Sequence, residues 1–343
     1  MEAASMEEEG VDEQQQVMRE VHLRCQPRFS VPYISHFSFS LPHDSLSERF
    51  SNSSNGERHS SCQIGLDEDG DLVLARRKKQ SFNHILSIQH KIISSIPSVG
   101  LQVWRAALVL ADFILHKVST SSDFDGFSSL ELGAGTGFVS IALASCAKVV
   151  FVTDIGTEIL DNCVFNAHVN SNVFKYQENS IRVRELDWRK AWPPDIRSTS
   201  DLQTLDRYKY SWTSSDIKEA EESSILLAAD VIYIDDLTDS LFNILEKLMS
   251  CGSEKVLYLA LEKRYNFSLN DLDVVANGYL HFKSYLKSEE ECKTLLERGS
   301  SCFVGKLIDL DEVPKYVTEY ERGEDLEIWQ IMYRRSRNIT KNW

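Results

Sequence analysis

The chain has 343 residues, which is enough for one large domain with appendages or for two small domains. Hydrophobic residues make up 42% of it, so it can bury a sizeable core, and its formal net charge is −15. That charge argues against direct nucleic-acid binding and favours a basic partner, although plain solubility would also explain it. No apolar run approaches the ~20 residues of a membrane span, so no membrane interaction is expected.

The first segment of the chain is acidic and polar. Residues 1–58 are rich in Ser, Glu, Gln, Asn and Pro with little periodicity. They are predicted to be largely disordered, with a short ordered piece near Phe37 to Phe39. The acidic N-terminus is unlike a signal or transit peptide. Because this tail carries none of the motifs described below, it is expected to be dispensable for catalysis.

A β-hairpin is predicted in residues 59–100, followed by a linker. Two alternating segments flank Asp67-Glu68-Asp69-Gly70, and an Asp-Gly pair tolerates the positive φ of a tight turn. Four bases at 76–79 come next, either as a nuclear import patch or as a solvated loop.

The remainder, residues 101–338, alternates between helical and strand periodicity. The predicted elements are helix 101–118, strand 128–132, helix 137–146, strand 148–154, helix 157–169, strand 181–186, strand 225–230, helix 237–249 and strand 255–261. This order indicates an α/β fold with a mostly parallel sheet and helices on both faces. Strand-like runs at 302–308 and 327–333 predict a C-terminal antiparallel hairpin. A polar insertion, 193–223, is expected at the carboxyl edge of the sheet, with Trp212 its most conspicuous residue.

The most informative motif is the run from Leu130 to Gly137, which fits E-x-G-x-G-x-G. It lies between a strand and a helix, and its glycines let the backbone approach a ligand closely. Asp154 ends the next strand, where a carboxylate can hydrogen-bond two ribose hydroxyls. A dinucleotide fingerprint requires a third glycine where Phe138 stands, and the chain has no G-K-[ST] of a P-loop.

The spacing therefore favours S-adenosylmethionine (SAM) over a dinucleotide. Gly133, Ala134, Gly135 and Gly137 are the candidate loop residues. Glu131 could bind the α-ammonium of SAM, whereas it would repel a pyrophosphate. A glycine-rich turn that binds no ligand is the alternative.

Seven cysteines are scattered along the chain without a C-x-x-C pair. This pattern fits reduced thiols in the nucleus or cytoplasm better than a disulfide framework. Because ligand residues are not clustered, no zinc or other metal site is expected. The protein is expected to be a monomer.

Four further motifs accompany the glycine loop, each just before it or at a strand end. They are Gln102 to Ala107, Leu186-Asp187-Trp188, Ala229 to Tyr233 and Ala260 to Arg264. As a set they resemble the methyltransferase-like family 16 of seven-β-strand enzymes, over roughly residues 60–335. The resemblance implies a class I SAM-dependent methyltransferase fold, Rossmann-like and seven-stranded. It also implies a protein substrate, since characterised members mostly methylate lysines of specific proteins.

The resemblance assigns roles around the cofactor. The glycine loop would line the methionine part of SAM, and Asp154 would bind the ribose. Trp104 would close over the cofactor, Asp187 and Trp188 would lie beside the adenine, and Ala229 would border the reacting sulfonium. For each tryptophan, a core aromatic is the alternative.

Asp230 and Tyr233 form a D-x-x-Y motif and are the candidate catalytic residues. A carboxylate raises the pKa of a nearby amine, so Asp230 is suited to orienting a lysine cation rather than to removing its proton. The ring of Tyr233 could form one wall of a channel through which the substrate lysine enters. The further acids Asp235, Asp236 and Asp239 would attract a basic segment of a substrate protein, or simply complement a helix N-terminus.

Two other functions fit the sequence less well. Nucleic-acid amine methyltransferases usually carry [DNS]-P-P-[YFW] at the fourth strand end, where this chain has Ala229 to Tyr233. A non-catalytic SAM-binding or protein-interaction module would be expected to have lost the glycines, Asp154 or Asp230, and all are present.

Overall fold

The computed structural model describes residues 16–18, 32–41, 65–66, 72–73, 82–121, 124, 126–176, 180–196, 209–268 and 273–336. The predictions for the Asp67–Gly70 turn and for the bases at 76–79 lie outside these described residues.

The strands alternate with helices after residue 100. The strands are β1 (Gln16–Met18), β2 (Tyr33–Leu41), β3 (Gly65–Leu66), β4 (Leu72–Val73), β5 (Phe82–His90), β6 (Ile93–Ser95), β7 (Ser128–Leu132), β8 (Val149–Asp154), β9 (Ile181–Glu185), β10 (Ile225–Ala229), β11 (Val256–Glu262), β12 (Asn266–Ser268), β13 (Asp273–Val275), β14 (Leu286–Lys287), β15 (Cys302–Leu307) and β16 (Leu326–Arg334). The helices are α1 (Arg105–Thr120), α2 (Phe138–Leu143), α3 (Thr157–Val169), α4 (Ser214–Glu221), α5 (Asp235–Ser250), α6 (Asn277–Tyr285) and α7 (Glu289–Glu297), with short 3₁₀ turns at Ile96–Leu101, Ser171–Val173 and Leu310–Glu312.

Within the described residues, eight strands form the main sheet, in the order β14-β15-β16-β11-β10-β7-β8-β9. Strands β9, β8, β7, β10 and β11 run parallel, and β16 returns antiparallel between β11 and β15. This is the sheet of class I SAM-dependent methyltransferases, so the predicted fold class is confirmed. The two-residue β14 adds an edge strand to the seven that were predicted.

The carboxyl ends of the parallel strands meet at one edge of the sheet. Leu132 of β7 pairs in register with Thr153 of β8 and with Ala228 of β10. Ala229 pairs in turn with Ala260 of β11. The glycine loop, Asp154 and Asp230 follow these residues directly along the chain, so the parallel register brings them together.

Helix α1 is the central buried helix of one sheet face. It begins at Arg105 rather than at the predicted Leu101, because the 3₁₀ turn Ile96–Leu101 comes first and Trp104 is extended at the helix N-cap. By length and composition, the segment Ile96–Thr120 could cross a membrane, but 67% of its apolar window is buried inside the fold. Its apolar character is therefore that of a core element.

Strands β2 and β5 form an antiparallel pair that packs on the same face. Phe37 of β2 is fully buried, and its ring meets Phe138 of α2 edge-on, with centroids 5.0 Å apart. The ordered piece expected near Phe37 thus extends to nine residues, and its buried side chains belong to the core. A boundary at residue 58 would separate this strand from the domain it packs against. The β-hairpin predicted in residues 59–100 is present as the two-residue strands β3 and β4, which pair antiparallel.

The segment predicted as a polar insertion contributes to the core in its described part. Trp212 is buried, stacks on Phe151 of β8 at 5.5 Å and donates from Nε1 to the Glu185 carbonyl at 2.7 Å. Helix α4 follows, with Thr213 and Asp216 forming a capping box at its start. These residues supply the crossover helix between β9 and β10, as a parallel connection requires.

Candidate functional site

One cavity of about 480 Å³ lies at the carboxyl edge of the sheet. The predicted site residues that line it are Trp104, Glu131, Gly133, Ala134, Gly135, Asp154, Asp187, Trp188, Ala229, Asp230 and Tyr233. Gly137 is not among the lining residues. It has φ 76° at the N-cap of α2, so its role in the structure is to begin that helix.

The glycine loop forms a cradle with no room for side chains. Gly133 and Gly135 have φ of 65° and 55°, in the left-handed region that glycine adopts without strain. A Cβ at Gly133 would lie 2.8 Å from Val231 Cγ1 and 3.2 Å from the Trp188 ring. At Gly135 it would lie 2.8 Å from the Gly100 carbonyl oxygen. A ligand in the cavity can therefore reach the loop backbone directly.

Helix α3 holds the glycine loop from behind. The Cys163 thiol donates to the Gly135 carbonyl at 2.8 Å, and the Asn166 amide donates to the Thr136 carbonyl at 2.9 Å. Asn166 also accepts from the Gln89 backbone N–H at 2.7 Å, which ties β5 to the same helix. The loop is thus fixed before any ligand arrives.

Asp154 ends β8 at the cavity wall. Its Oδ2 accepts from the Gly135 N–H at 2.8 Å and its Oδ1 from the Ile155 N–H at 2.7 Å. Burial raises the pKa of this carboxyl, and the two backbone donors act in the opposite direction. Each carboxylate oxygen has further lone pairs, so Asp154 can also accept from two hydroxyls of a ribose.

Glu131 lies deeper, with 1% of its surface exposed. Its Oε2 accepts from the Ser140 N–H at 3.0 Å and from the Ser140 hydroxyl, at the start of α2. Burial raises its pKa to about 8, so it is mostly protonated at neutral pH. A cation brought against it would favour the ionised form, because opposite charge lowers the pKa of a carboxyl.

The residues after β9 form the wall expected for an adenine. Trp188 packs its ring against Gly133 and also contacts the apolar core on that face of the sheet. Asp187 accepts from the Arg189 N–H at 3.1 Å through Oδ1. A flat aromatic face beside a carboxylate suits a base that carries an exocyclic amino group.

The glycine cradle, Asp154 and this wall together fit SAM, whose cofactor role was predicted from the glycine spacing. The loop leaves backbone exposed, a carboxylate stands at the strand end, and an indole faces the cavity. Apart from Gly137, the residues predicted to bind SAM line this cavity.

Asp230 has φ 57° and is the one non-glycine residue with positive φ among the described residues. Its carboxylate is 3% exposed and accepts from Arg264 Nη2 at 3.0 Å. Arg264 lies over the Trp104 ring, with its guanidinium carbon 4.7 Å from the ring centroid. The neighbouring acid Glu262 pairs with a different arginine, Arg105, whose Nε donates to Glu262 Oε2 at 3.1 Å.

Tyr233 lies at the cavity mouth, 42% exposed. Burial of its hydroxyl and the charge of Asp154 raise its pKa, so the phenol stays neutral at physiological pH. A neutral phenol can donate or accept a hydrogen bond, and its ring forms one side of the opening.

The other acids of the motif separate into two groups. Asp239 accepts from His281 Nε2 at 2.6 Å and from the Tyr285 hydroxyl at 2.5 Å, so it joins α5 to α6. Asp235 and Asp236 are exposed in the first turn of α5, where they complement the helix dipole. Of the three acids expected to attract a basic segment, Asp235 and Asp236 are therefore the two exposed beside the D-x-x-Y motif.

Several residues that line the cavity were not predicted from the sequence. The largest group comes from the 3₁₀ turn, namely Ile96, Pro97, Val99 and Gly100. Ile155 and Ile234 add apolar surface at the rim, where both are exposed. The sequence signal that could have identified this turn is Gly100, a glycine that precedes the apolar helix α1. Its backbone lies against Gly135 of the glycine loop.

A family model described as lysine methyltransferase matches residues 80–206. Human methyltransferase-like protein 22 is 37% identical over 269 residues, covering 78% of this chain, and the mouse protein of that name is 36% identical and covers 77%. Mouse protein N-lysine methyltransferase METTL21A is 27% identical and covers 56% of this chain and 74% of its own length. The runs 228–239 and 262–267 had indicated likeness to methyltransferase-like protein 22, which is confirmed.

The chain spans less than two thirds of the two relatives of that name, namely 62% of the human protein and 63% of the mouse protein.

Proposed function

The chain belongs to the lysine methyltransferase family, and from that premise we propose that it is a SAM-dependent protein-lysine N-methyltransferase. The observation that carries the proposal is that the glycine cradle, Asp154 and the D-x-x-Y residues line one cavity. This continuity supports a methyl transfer in which the cofactor and the acceptor bind at the two ends of the same cavity. When bound, SAM would supply a methyl group on a cationic sulfur, and an amine attacking the methyl carbon in line would release that sulfur as a neutral thioether.

The difficulty for any such enzyme lies in the acceptor. A free lysine has a pKa of ~10.4, about 3.4 units above pH 7, so forming the neutral amine there costs roughly 4.6 kcal/mol at ~1.36 kcal/mol per unit. Desolvation near a cation lowers that pKa, whereas a carboxylate raises it. Asp230 is therefore assigned to attracting and orienting the ammonium, and the proton then leaves to water.

Tyr233 and the rim support a protein acceptor rather than a small molecule. Tyr233, Ile234 and Ile155 are exposed around the opening, and Asp235 and Asp236 lie next to them. An apolar rim beside two carboxylates suits a peptide segment that carries basic residues. Exclusion of water by such a segment would complete the site, because positioning and dehydration are the main tasks in this reaction.

The experiment is transfer of tritiated methyl groups from SAM to a protein extract, followed by acid hydrolysis and identification of methyl-lysine. Asp230→Ala should abolish labelling while SAM affinity stays within a few fold. Tyr233→Phe should slow transfer less than Tyr233→Ala, because the ring remains.

Label in RNA with none in protein would refute the proposal, as would full protein labelling by Asp230→Ala. SAM binding by wild type without any transfer would instead favour a non-catalytic module.

A further inference from the structure

The side chain of Asp230 is a buried carboxylate whose charge is balanced by an arginine from another strand end. Arg264 donates to Asp230 Oδ2 at 3.0 Å and lies over the Trp104 ring at 4.7 Å. Trp104 itself is held by its edge, since Nε1 donates to the Val99 carbonyl at 3.1 Å. The guanidinium of Arg264 thus contacts both the Asp230 carboxylate and the face of the Trp104 ring.

Arg264 is weakly held for an arginine in this position. Its Nε is buried without a hydrogen-bond partner among the described residues, and its side chain is 35% exposed. It lies on the irregular segment between β11 and β12. Arg105 differs, because it reaches both oxygens of Glu262. Arg264 can therefore leave its place at a lower cost than Arg105 can.

Asp230, by contrast, cannot remain without a cation. Its carboxylate is 3% exposed, and a buried charge that loses its partner is strongly destabilised. A second cation could take over the same two contacts, an ion pair with the carboxylate and a cation–π contact with the indole. An alkylammonium, such as the end of a lysine side chain, presents the required charge on a slim apolar stem.

We propose that Asp230 and Trp104 form the binding site for the acceptor ammonium, and that Arg264 occupies it until a substrate lysine displaces it. The inference rests on the proposed function for the identity of the incoming cation. It assigns Trp104 to the acceptor side of the cavity, in addition to its expected place beside SAM. Arg264 then acts as a positioning residue that pairs with the Asp230 carboxylate while no substrate is bound.

The first test uses n-butylammonium chloride as a probe of the site, without SAM. Arg264→Gln removes the resident cation and should bind the probe at least fivefold more tightly than wild type, measured by calorimetry or by the rise in Tm. Adding Asp230→Asn to that variant should abolish the gain. Arg189→Gln is the matched control, because Arg189 lines the same cavity and should leave probe binding unchanged. Equal affinity in wild type and Arg264→Gln would overturn the inference.

The second test places an amine in the site itself. Arg264→Lys, incubated with SAM, should acquire a methyl group at position 264, found by mass spectrometry of the intact chain and its peptides. In that step the amine, having lost one proton to water, forms the new C–N bond while the C–S electron pair stays on sulfur. Arg189→Lys should remain unmethylated. This test also covers the case in which Arg264→Gln does not fold.

The two proposals can fail separately. If wild type labels protein lysines but Arg264→Lys is not methylated, the acceptor assignment is wrong and the proposed function stands. If wild type transfers no label while Arg264→Gln binds the probe as expected, the cation site stands and the proposed function fails.

Discussion

At the residue scale, the carboxylates of the cavity differ in what surrounds their charge. Asp154 accepts from two backbone N–H groups at the cavity wall. Glu131 is enclosed, and its bonds come from one serine. Asp230 is balanced by a guanidinium. We therefore propose a different ligand group for each carboxylate, respectively hydroxyls, an ammonium of the cofactor and an ammonium of the acceptor.

Asp154→Ala is expected to weaken SAM binding at least tenfold, or about 1.4 kcal/mol, as for loss of hydrogen bonds to a charged group. The change also frees the Gly135 N–H, so the loop loses a contact that fixes it. Calorimetry on the folded variant measures the affinity. Asp154→Asn, which keeps one acceptor oxygen, should lose less, and unchanged affinity in Asp154→Ala would contradict the ribose assignment.

Glu131 should make the stability of the fold depend on pH. Its folded pKa of about 8 lies above the ordinary 4.5, so the protonated form favours the folded state. That contribution is present below pH 4.5 and is lost as the pH rises to about 8. Wild type should therefore lose stability relative to Glu131→Gln across this window, measured by urea unfolding at several pH values. A difference that does not change with pH would show that Glu131 is ionised in the folded state.

At the element scale, β2 determines where the folded domain begins. Phe37 is fully buried on this strand, whereas Ile34 on the same strand is 52% exposed. Backbone contacts join β2 to the C-terminal part as well, since the Thr318 N–H donates to the Ser38 carbonyl at 3.2 Å. The strand is therefore a structural element of the domain, and removing residues 1–58 would remove it.

Phe37→Ala is expected to destabilise the protein by ~3–5 kcal/mol, the usual cost of emptying a phenylalanine site in a core. Ile34→Ala is the matched control on the same strand and should change stability by no more than ~0.5 kcal/mol. Chemical denaturation measures both. Equal small effects would mean that β2 is dispensable, as was expected for the N-terminal tail.

At the scale of the whole molecule, one buried acid connects α1 to the segment before β16. Asp112 is fully buried and accepts from the Tyr316 and Val317 N–H groups, both at 2.8 Å. Arg322 Nη2 donates to its Oδ2 at 2.7 Å, and the Tyr320 hydroxyl also donates to it. Val317 forms a β-bridge with Phe39, so the same segment touches β2.

Arg322→Met should cost ~3–5 kcal/mol, because it leaves the Asp112 carboxylate buried without its cation. Thermal unfolding gives the loss, and the double variant Arg322→Met/Asp112→Leu should recover part of it. Recovery distinguishes an unpaired charge from lost packing of the arginine stem. No loss in the single variant would show that the tyrosine and backbone donors suffice.

The alternation of strands and helices, the glycine loop and the acid at the end of β8 could all be predicted from the sequence. These features are local, because hydrophobic periodicity and positive φ depend on residues adjacent along the chain. Strand 128–132 and helix 157–169 accordingly have the predicted bounds. Which base pairs with Asp230 depends on the tertiary fold, since Arg264 is 34 residues away along the chain and lies two residues from Glu262. The tertiary fold likewise decided that β2 packs in the core and that Glu131 is enclosed, because burial and ion pairing depend on how distant segments meet.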